Sequence, residues 1–492
     1  MVLKYEYSVI PGERMDSALA RDLSRLFSSS YGRWSRKSPV NPGGRIRLGA
    51  RYYLENYARR DYRIATCRER GTLIAQAVYF QKRTERGEVS VVVQLVVDER
   101  HRRQGVATAL LHAIWGFSDF YAWGIVTSSP CTVEALEAAT FRRCRASDIS
   151  RSAPFISKAV LADIPFLKDA SWTSDGASSV VRTDFYTDRT SKSVARQRVE
   201  SRLGKIAEGE EWLALTFRAQ PLDLEDAYSK IIECSGRMVA EAYRRQPQSR
   251  QPWAAKAKAE VDSLLRWLPE IGRDTPICDF GAGEGRHIAE FRKRGYKAVS
   301  GIDFAVTPRG RKAGVVEADC RSWRSSDRFG LITCLYDVVG SFEDERSNLA
   351  ILRNIARHLR AGGYAAVSVA HAGFSSLASV PRVDSSNRRG LLKAVFSLAP
   401  SRTMATSGEF FSAKAMLKDI REPVFYHKEQ FDGEGVFPGE YLVVDRRYTA
   451  GAIEKLVQRA GLTVVQRRFV RAGFDERSRR SDGKEILVIA RK

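Results

Sequence analysis

The sequence predicts an α/β protein of two domains, each a sheet with helices packed against it. Three observations predict this. At 492 residues the chain is too long for one ordinary hydrophobic core. In each half an apolar run ends in a glycine-bearing turn that opens a helix-like segment: 94–97 leads into 98–107, and Ile277-Cys278 leads into residues 279–285. From the second turn onward, short apolar runs alternate with helical patterns to the C-terminus, the pattern of an open, largely parallel sheet.

Taken in order, residues 15–27 and 50–58 carry amphipathic helical spacing. Residues 72–82 and 88–97 read as two long strands joined by the turn 84–87, hence a hairpin. Directly after comes Arg102-Arg103-Gln104-Gly105-Val106-Ala107-Thr108, and 108–115 continues as a helix. Small residues at such a turn let a ligand approach closely, and the free N–H groups and dipole of a helix start attract an anion. The pattern Arg102-x-x-Gly105-x-Ala107 fits (Q/R)xxGx(G/A), and the segment resembles the GNAT acetyltransferases. That resemblance implies a mixed sheet with helices, and the pyrophosphate of acetyl-CoA held by the backbone of Arg102, Arg103, Gln104, Gly105, Val106, Ala107 and Thr108. It also implies a preceding strand that splays from its neighbour and bonds the pantetheine arm through Leu95 and Val97. A strand at 122–127 and a helix at 131–142 match the family's next elements. Two departures stand out. Ser129 replaces the family's frequent asparagine, and 133–139 lacks the frequent tyrosine acid. Glu137 or Glu134 would then have to serve as the acid, or the unit binds the coenzyme, or a partner, without turnover. Residues 150–217, with a loop at 171–179 and a strand at 211–217, complete a first domain spanning 1–217.

The second domain spans 218–492. Helical patterns at 227–243 and 254–268 precede the turn, with Trp253 between them. Asp279-Phe-Gly281-Ala282-Gly283-Glu-Gly285 ends a strand in a carboxylate and passes through a glycine turn into a helix at 286–293. A second strand at 296–303 ends in Asp303, about 20 residues on, where a ribose diol is gripped in such folds. A third, 314–319, ends in Asp319; a fourth, 329–337, passes Cys334 and Leu335 to Tyr336 and Asp337. The helix 346–359 and the strand 364–369 follow, and helix 449–460 with strands 461–469 and 485–490 closes the sheet. This ordered series resembles the class I S-adenosylmethionine-dependent methyltransferases, which implies a Rossmann-like seven-stranded sheet. It further implies S-adenosyl-L-methionine bound by Asp279, Gly281, Ala282, Gly283, Gly285, Asp303, Phe304, Asp319, Cys320 and Leu335. Tyr336, Asp337 and His371 are the acceptor-side catalytic candidates. The resemblance also implies that the leading helices lie over the donor site, with Trp253 as a candidate lid, and that residues 371–445, rich in aromatic and basic side chains, roof the acceptor pocket.

Composition narrows the function. The seven cysteines form no CxxC and no His/Cys metal spacing, so reduced thiols, no metal and a cytoplasmic protein are expected. No apolar run reaches the roughly 18 residues of a membrane span, and no signal-peptide core is present. The net charge of +23 is spread over both halves; it reads either as an arginine-rich solvated surface or as affinity for an anionic partner. The chain lacks the (D/N/S)PP(Y/F) loop of amino-methylating DNA enzymes and the Pro-Cys of cytosine-C5 enzymes. The expected function is therefore a bifunctional transferase, acetylating and methylating an amine-bearing small molecule. A tRNA- or DNA-modifying enzyme is the alternative, and the oligomeric state is left open.

Overall fold

The computed structural model describes residues 5–168, 170–188, 193–224, 227–245, 252–401, 412–431 and 439–492. The chain folds as two compact units, one running to Met238 and the other from Val239 to the C-terminus, with a short stretch ending at Glu440 grouped with the first. Among the described residues no helix is long and apolar enough to cross a membrane.

The first unit contains β1 (Glu6–Pro11), α1 (Ser17–Ser30), α2 (Ala50–Tyr57), β2 (Tyr62–Glu69), β3 (Thr72–Thr84), β4 (Gly87–Val97), α3 (Val106–Trp115), β5 (Ala122–Thr127), α4 (Pro130–Thr140), α5 (Ala146–Ala159), β6 (Trp172–Ser174), β7 (Ser179–Arg182), α6 (Val194–Leu203) and β8 (Glu210–Phe217). Its strands form one sheet in the order β1-β2-β3-β4-β5-β8-β7-β6. The expected hairpin is β3 and β4, paired from Ala75↔Val97 to Thr84↔Gly87. Strands β1 and β2 escaped sequence reading because charged and hydroxyl residues interrupt their apolar alternation; they pair antiparallel from Glu6↔Arg68 to Pro11↔Arg63. Asp16 caps α1 by accepting a hydrogen bond from the Leu19 N–H at 2.7 Å.

Helix α7 (Ala227–Arg245) runs from the first unit into the second. The second unit then contains α8 (Ala257–Trp267), β9 (Ile277–Phe280), α9 (Arg286–Lys293), β10 (Val299–Asp303), α10 (Pro308–Lys312), β11 (Val315–Glu317), β12 (Phe329–Cys334), α11 (Glu345–His358), β13 (Leu359–Ala370), β14 (Arg382–Val383), α12 (Arg388–Ser397), β15 (Met416–Asp419), β16 (Val424–Gln430), β17 (Glu440–Arg446), α13 (Ala450–Arg459), β18 (Thr463–Arg471), β19 (Asp475–Glu476) and β20 (Glu485–Arg491). Its main sheet runs β11-β10-β9-β12-β13-β20-β18, with the two-residue β19 added at the edge. Strands β11 to β13 are parallel and β20 is antiparallel to both neighbours. Every residue of β12 is buried, as a central strand covered on both faces requires. The strand stops at Cys334, short of the predicted 337, because Tyr336 and Asp337 turn out of the sheet with φ of 58° and 63°. Residues 371–445 carry a second sheet, β14-β15-β16-β17, with α12 against it. Phe425, Tyr426 and Tyr441 lie fully buried there, so these aromatics pack the added layer. The side chain of Trp253, and Phe410, Phe411 and Phe437, lie outside the described residues.

Candidate functional site

In the second unit the glycine turn sits where β9 hands over to α9. The Gly281 and Ala282 N–H groups donate to the Ile302 carbonyl at 2.8 and 3.0 Å, anchoring the turn to the end of β10. Gly281 has φ +81°, and a Cβ there would meet Val338 Cγ2 at 2.3 Å, so only glycine fits. Gly283 and Gly285 complete the turn, and Gly285 caps α9 in left-handed backbone without a side-chain bond. Asp303, at the tip of β10, accepts from the Gly283 N–H (2.9 Å) and the Ala305 N–H (2.8 Å). Burial raises its pKa, and the two N–H bonds pull against that rise. Each oxygen takes only one of these bonds, so the carboxylate keeps lone pairs for a diol. Phe304 beside it is 42% exposed. These groups fit an adenosyl donor.

Other predicted donor-site residues lie differently. Asp279 is buried beneath the turn, where Thr333 Oγ1 donates to it at 2.6 Å and His287 Nδ1 lies 3.3 Å away. Asp319 is gripped by its neighbour Arg321, whose Nη2 reaches Oδ2 at 2.7 Å. Burial opposes ionisation there, but that guanidinium holds the carboxyl well below the ordinary range. Cys320 and Leu335 are buried.

At the acceptor side, sequence reasoning missed a buried polar network. Glu260 on α8 accepts from Arg286 Nη1 (2.9 Å), the Gly473 N–H (3.1 Å) and the Tyr336 hydroxyl, and lies 2.8 Å from His287 Nε2. Burial raises its pKa, but His287 and Arg286 outweigh burial and bring it down to about 2. The Arg286 guanidinium lies 4.4 Å from the Tyr336 ring centroid. Tyr336 and Asp337 are thereby held at the tip of β12, in left-handed backbone that L-residues rarely adopt. Asp337 Oδ1 is shut off from solvent with no hydrogen-bond partner among the described residues. Glu485, at the start of β20, pairs across from Ala370 and is buried. Burial raises both carboxyls, and Asp337 raises Glu485 further. His371 follows at the end of β13. Its Nδ1 lies 3.0 Å from the Gly483 carbonyl, its ring packs on Phe469, and burial lowers its pKa, so it stands neutral. Two signals in the sequence could have found this network: one acid on the buried face of an amphipathic helix, and one acid opening an otherwise apolar strand.

In the first unit β4 and β5 pair in parallel only from Val89↔Ala122 to Val92↔Ile125. A bulge at Val93 follows, and residues 94–97 leave β5, with Leu95 and Val97 half-exposed. Arg102, Arg103, Gln104 and Gly105 are exposed, while Val106, Ala107 and Thr108 turn into α3. Gly105 has φ +76° with open space where a Cβ would stand, and the helix start carries no side-chain cap. That cradle fits a pyrophosphate. The side chains of the motif are otherwise occupied: Arg102 donates to the Ser30 and Val97 carbonyls, and Gln104 accepts from the Tyr5 hydroxyl at 3.0 Å.

Glu137, the general-acid candidate, is already engaged. Its buried carboxylate takes Arg202 Nη2 at 3.0 Å, Arg143 Nη1 at 3.2 Å and the Cys144 N–H at 2.9 Å, a structural clamp. Glu134 pairs with Arg198 at 2.8 Å.

Residues 249–467 match the model of a methyltransferase domain, and residues 25–117 that of the acetyltransferase (GNAT) family. A curated relative, dTDP-4-amino-2,3,4,6-tetradeoxy-D-glucose N,N-dimethyltransferase of Saccharopolyspora spinosa, is 30% identical over 121 residues, 23% of this chain and 47% of that protein. The match thus spans about half the length of that relative. Among solved structures, an S-adenosylmethionine-dependent methyltransferase from Clostridium acetobutylicum aligns at 13% identity and TM-score 0.34, over 51% of this chain and 97% of its own. The CcbJ methyltransferase from Streptomyces caelestis aligns at 13% identity and TM-score 0.34, over 52% and 97%.

Proposed function

Starting from a chain that carries a GNAT-family acetyltransferase domain and a methyltransferase domain, we propose a bifunctional transferase whose methyl acceptor is an amine-bearing small molecule. The observation that carries the methyl-transfer half is Asp303, held by two backbone N–H groups at a strand tip beside the glycine turn. S-adenosyl-L-methionine would supply an electrophilic methyl group on a sulfonium. Asp303 would grip the ribose hydroxyls, Phe304 would lie against the base, and the start of α9 would face the donor's carboxylate. The relative's printed activity on an amino sugar supports nitrogen as the acceptor atom. In such transfers most of the acceleration comes from aligning acceptor and donor, with a base where a proton must leave.

The first unit would bind acetyl-CoA through the turn ending at Gly105 and the free edge at 94–97. A second reading keeps the coenzyme site but not the transfer: with Glu137 and Glu134 both engaged in ion pairs, α4 offers no free acid. The test is calorimetry with each donor, followed by label transfer from methyl- and acetyl-labelled donors to a panel of primary amines. Methyl transfer to an amine without acetyl transfer would select the second reading. Salt-sensitive labelling of RNA or DNA in place of an amine would overturn the small-molecule acceptor, since exposed Arg382, Arg389 and Lys393 offer a polyanion its contacts.

A further inference from the structure

We propose that Asp337 and Glu485 together form a cation subsite that selects the protonated amine of the acceptor and takes its proton, an inference that rests on the amine-methylating reading above. Asp337 leaves β12 on a left-handed turn, and Glu485 opens β20, where it pairs with Ala370, the last residue of β13. Both therefore stand at the strand edge where ligands of open parallel sheets collect.

Asp337 Oδ1 is buried and without a hydrogen-bond partner, and neither carboxyl forms an ion pair among the described residues. Arg447 and Lys484 offset only part of the burial of the pair. Arg447 is engaged by Asp445 at 2.8 Å and lies over the Phe425 ring, and Arg286 and His287 are engaged by Glu260. The charged groups facing the pair are Arg447, Lys484, Asp445 and Glu260. Ser368, which accepts the Tyr336 N–H at 2.8 Å, also bonds Glu485.

Burying two carboxyls with no ion-paired counter-charge is unfavourable, and an arriving ammonium relieves that cost. A neutral alcohol of the same shape relieves none of it. The pair thus discriminates nitrogen from oxygen acceptors by charge. In the reaction, an ammonium N–H bond breaks and its proton passes to the ionised carboxyl of the pair. The freed nitrogen lone pair attacks the methyl carbon of the sulfonium donor. The C–N bond forms as the C–S bond breaks, its electron pair returning to sulfur to leave a thioether. The methylated ammonium product departs, and the pair returns its proton to water.

The test uses the full chain with benzylamine and its neutral isostere benzyl alcohol. Binding is read by saturation-transfer NMR without any methyl donor, in the wild type and in Asp337→Asn and Glu485→Gln. The expected result is benzylamine binding without benzyl alcohol binding, and an amine affinity at least tenfold weaker in both variants. S-adenosylmethionine affinity by calorimetry should stay within about twofold of wild type, which also reports that each variant is folded. If one variant fails to fold, the other decides. Equal binding of amine and alcohol, or variants that keep wild-type amine affinity while the wild type still methylates benzylamine, would overturn the cation subsite and leave the amine-methylating reading standing. A wild type that binds the donor and methylates alcohols or nucleic acid but no amine would sink that reading, and this inference with it.

Discussion

Asp303 carries the sharpest residue-scale prediction. Its carboxylate already accepts two backbone N–H groups and would add both ribose hydroxyls. Hydrogen bonds to a charged acceptor are worth about 1.5–3 kcal/mol each. Asp303→Ala should therefore weaken S-adenosylmethionine binding by at least about tenfold on a folded protein, as calorimetry would read; wild-type affinity would refute the assignment. Glu260 makes the second prediction. Its pKa is brought down to about 2 despite burial, chiefly by the His287 hydrogen bond and the Arg286 charge. A depressed carboxyl contributes stability above its unfolded value of about 4.3, and that stability is lost as the pH falls toward the folded value. Glu260→Gln should cost about 3 kcal/mol at neutral pH, because Arg286 and His287 then lose a buried counter-charge. The gap between variant and wild type in urea should narrow as the pH falls from about 5 toward 2. The raised pair carries the opposite sign. Buried carboxyls that prefer their protons hold stability at low pH and lose it as the pH rises through the interval from their ordinary values to their raised ones.

At the scale of elements, the start of α3 and the clamp on α4 make distinct predictions. Gly105 combines a left-handed φ with open space, so a β-branched side chain there would strain the backbone and fill the cradle. Gly105→Val should abolish the thermal shift given by acetyl-CoA while leaving that given by S-adenosylmethionine unchanged. Glu137 ties α4 to α6 through Arg202 and to the chain after α4 through Arg143 and Cys144. Glu137→Gln should lower stability in urea by about 3 kcal/mol, since it strips the buried charge that both guanidiniums share. Its acetyl-CoA affinity should match wild type. A variant with undiminished stability would refute the clamp.

The whole molecule has two compact units, and the proposed donors divide between them. A ligand stabilises only what binds it, by about 2.7 kcal/mol at a hundredfold excess over Kd. Differential scanning calorimetry should accordingly show two transitions, one raised by S-adenosylmethionine alone and the other by acetyl-CoA alone. A single transition moved equally by either donor would mean that the units unfold as one. The net charge of +23 acts at this scale too. With a small amine as acceptor, turnover should be nearly independent of salt, whereas a polyanion would make it fall steeply.

Local patterns determined the hairpin of the first unit, the alternating strands and helices of the second unit's main sheet, the two glycine turns and the carboxylates at the strand tips. These rest on short-range rules: apolar periodicity, positive φ at glycine and the caps of helices. That is why Asp303, Gly281 and Gly105 were legible residue by residue. Only the tertiary structure decided which polar groups are already committed. Asp319 to Arg321, Glu137 to Arg143 and Arg202, and Asp279 to Thr333 are pairings a linear pattern does not display. The same holds for the acceptor side, where Glu260, His287, Tyr336, Asp337 and Glu485 come from α8, α9, the tip of β12 and β20. Residues far apart in the chain become electrostatic neighbours only when the sheet brings its edge together. Burial then sets their protonation, and burial is a property of the fold rather than of any segment.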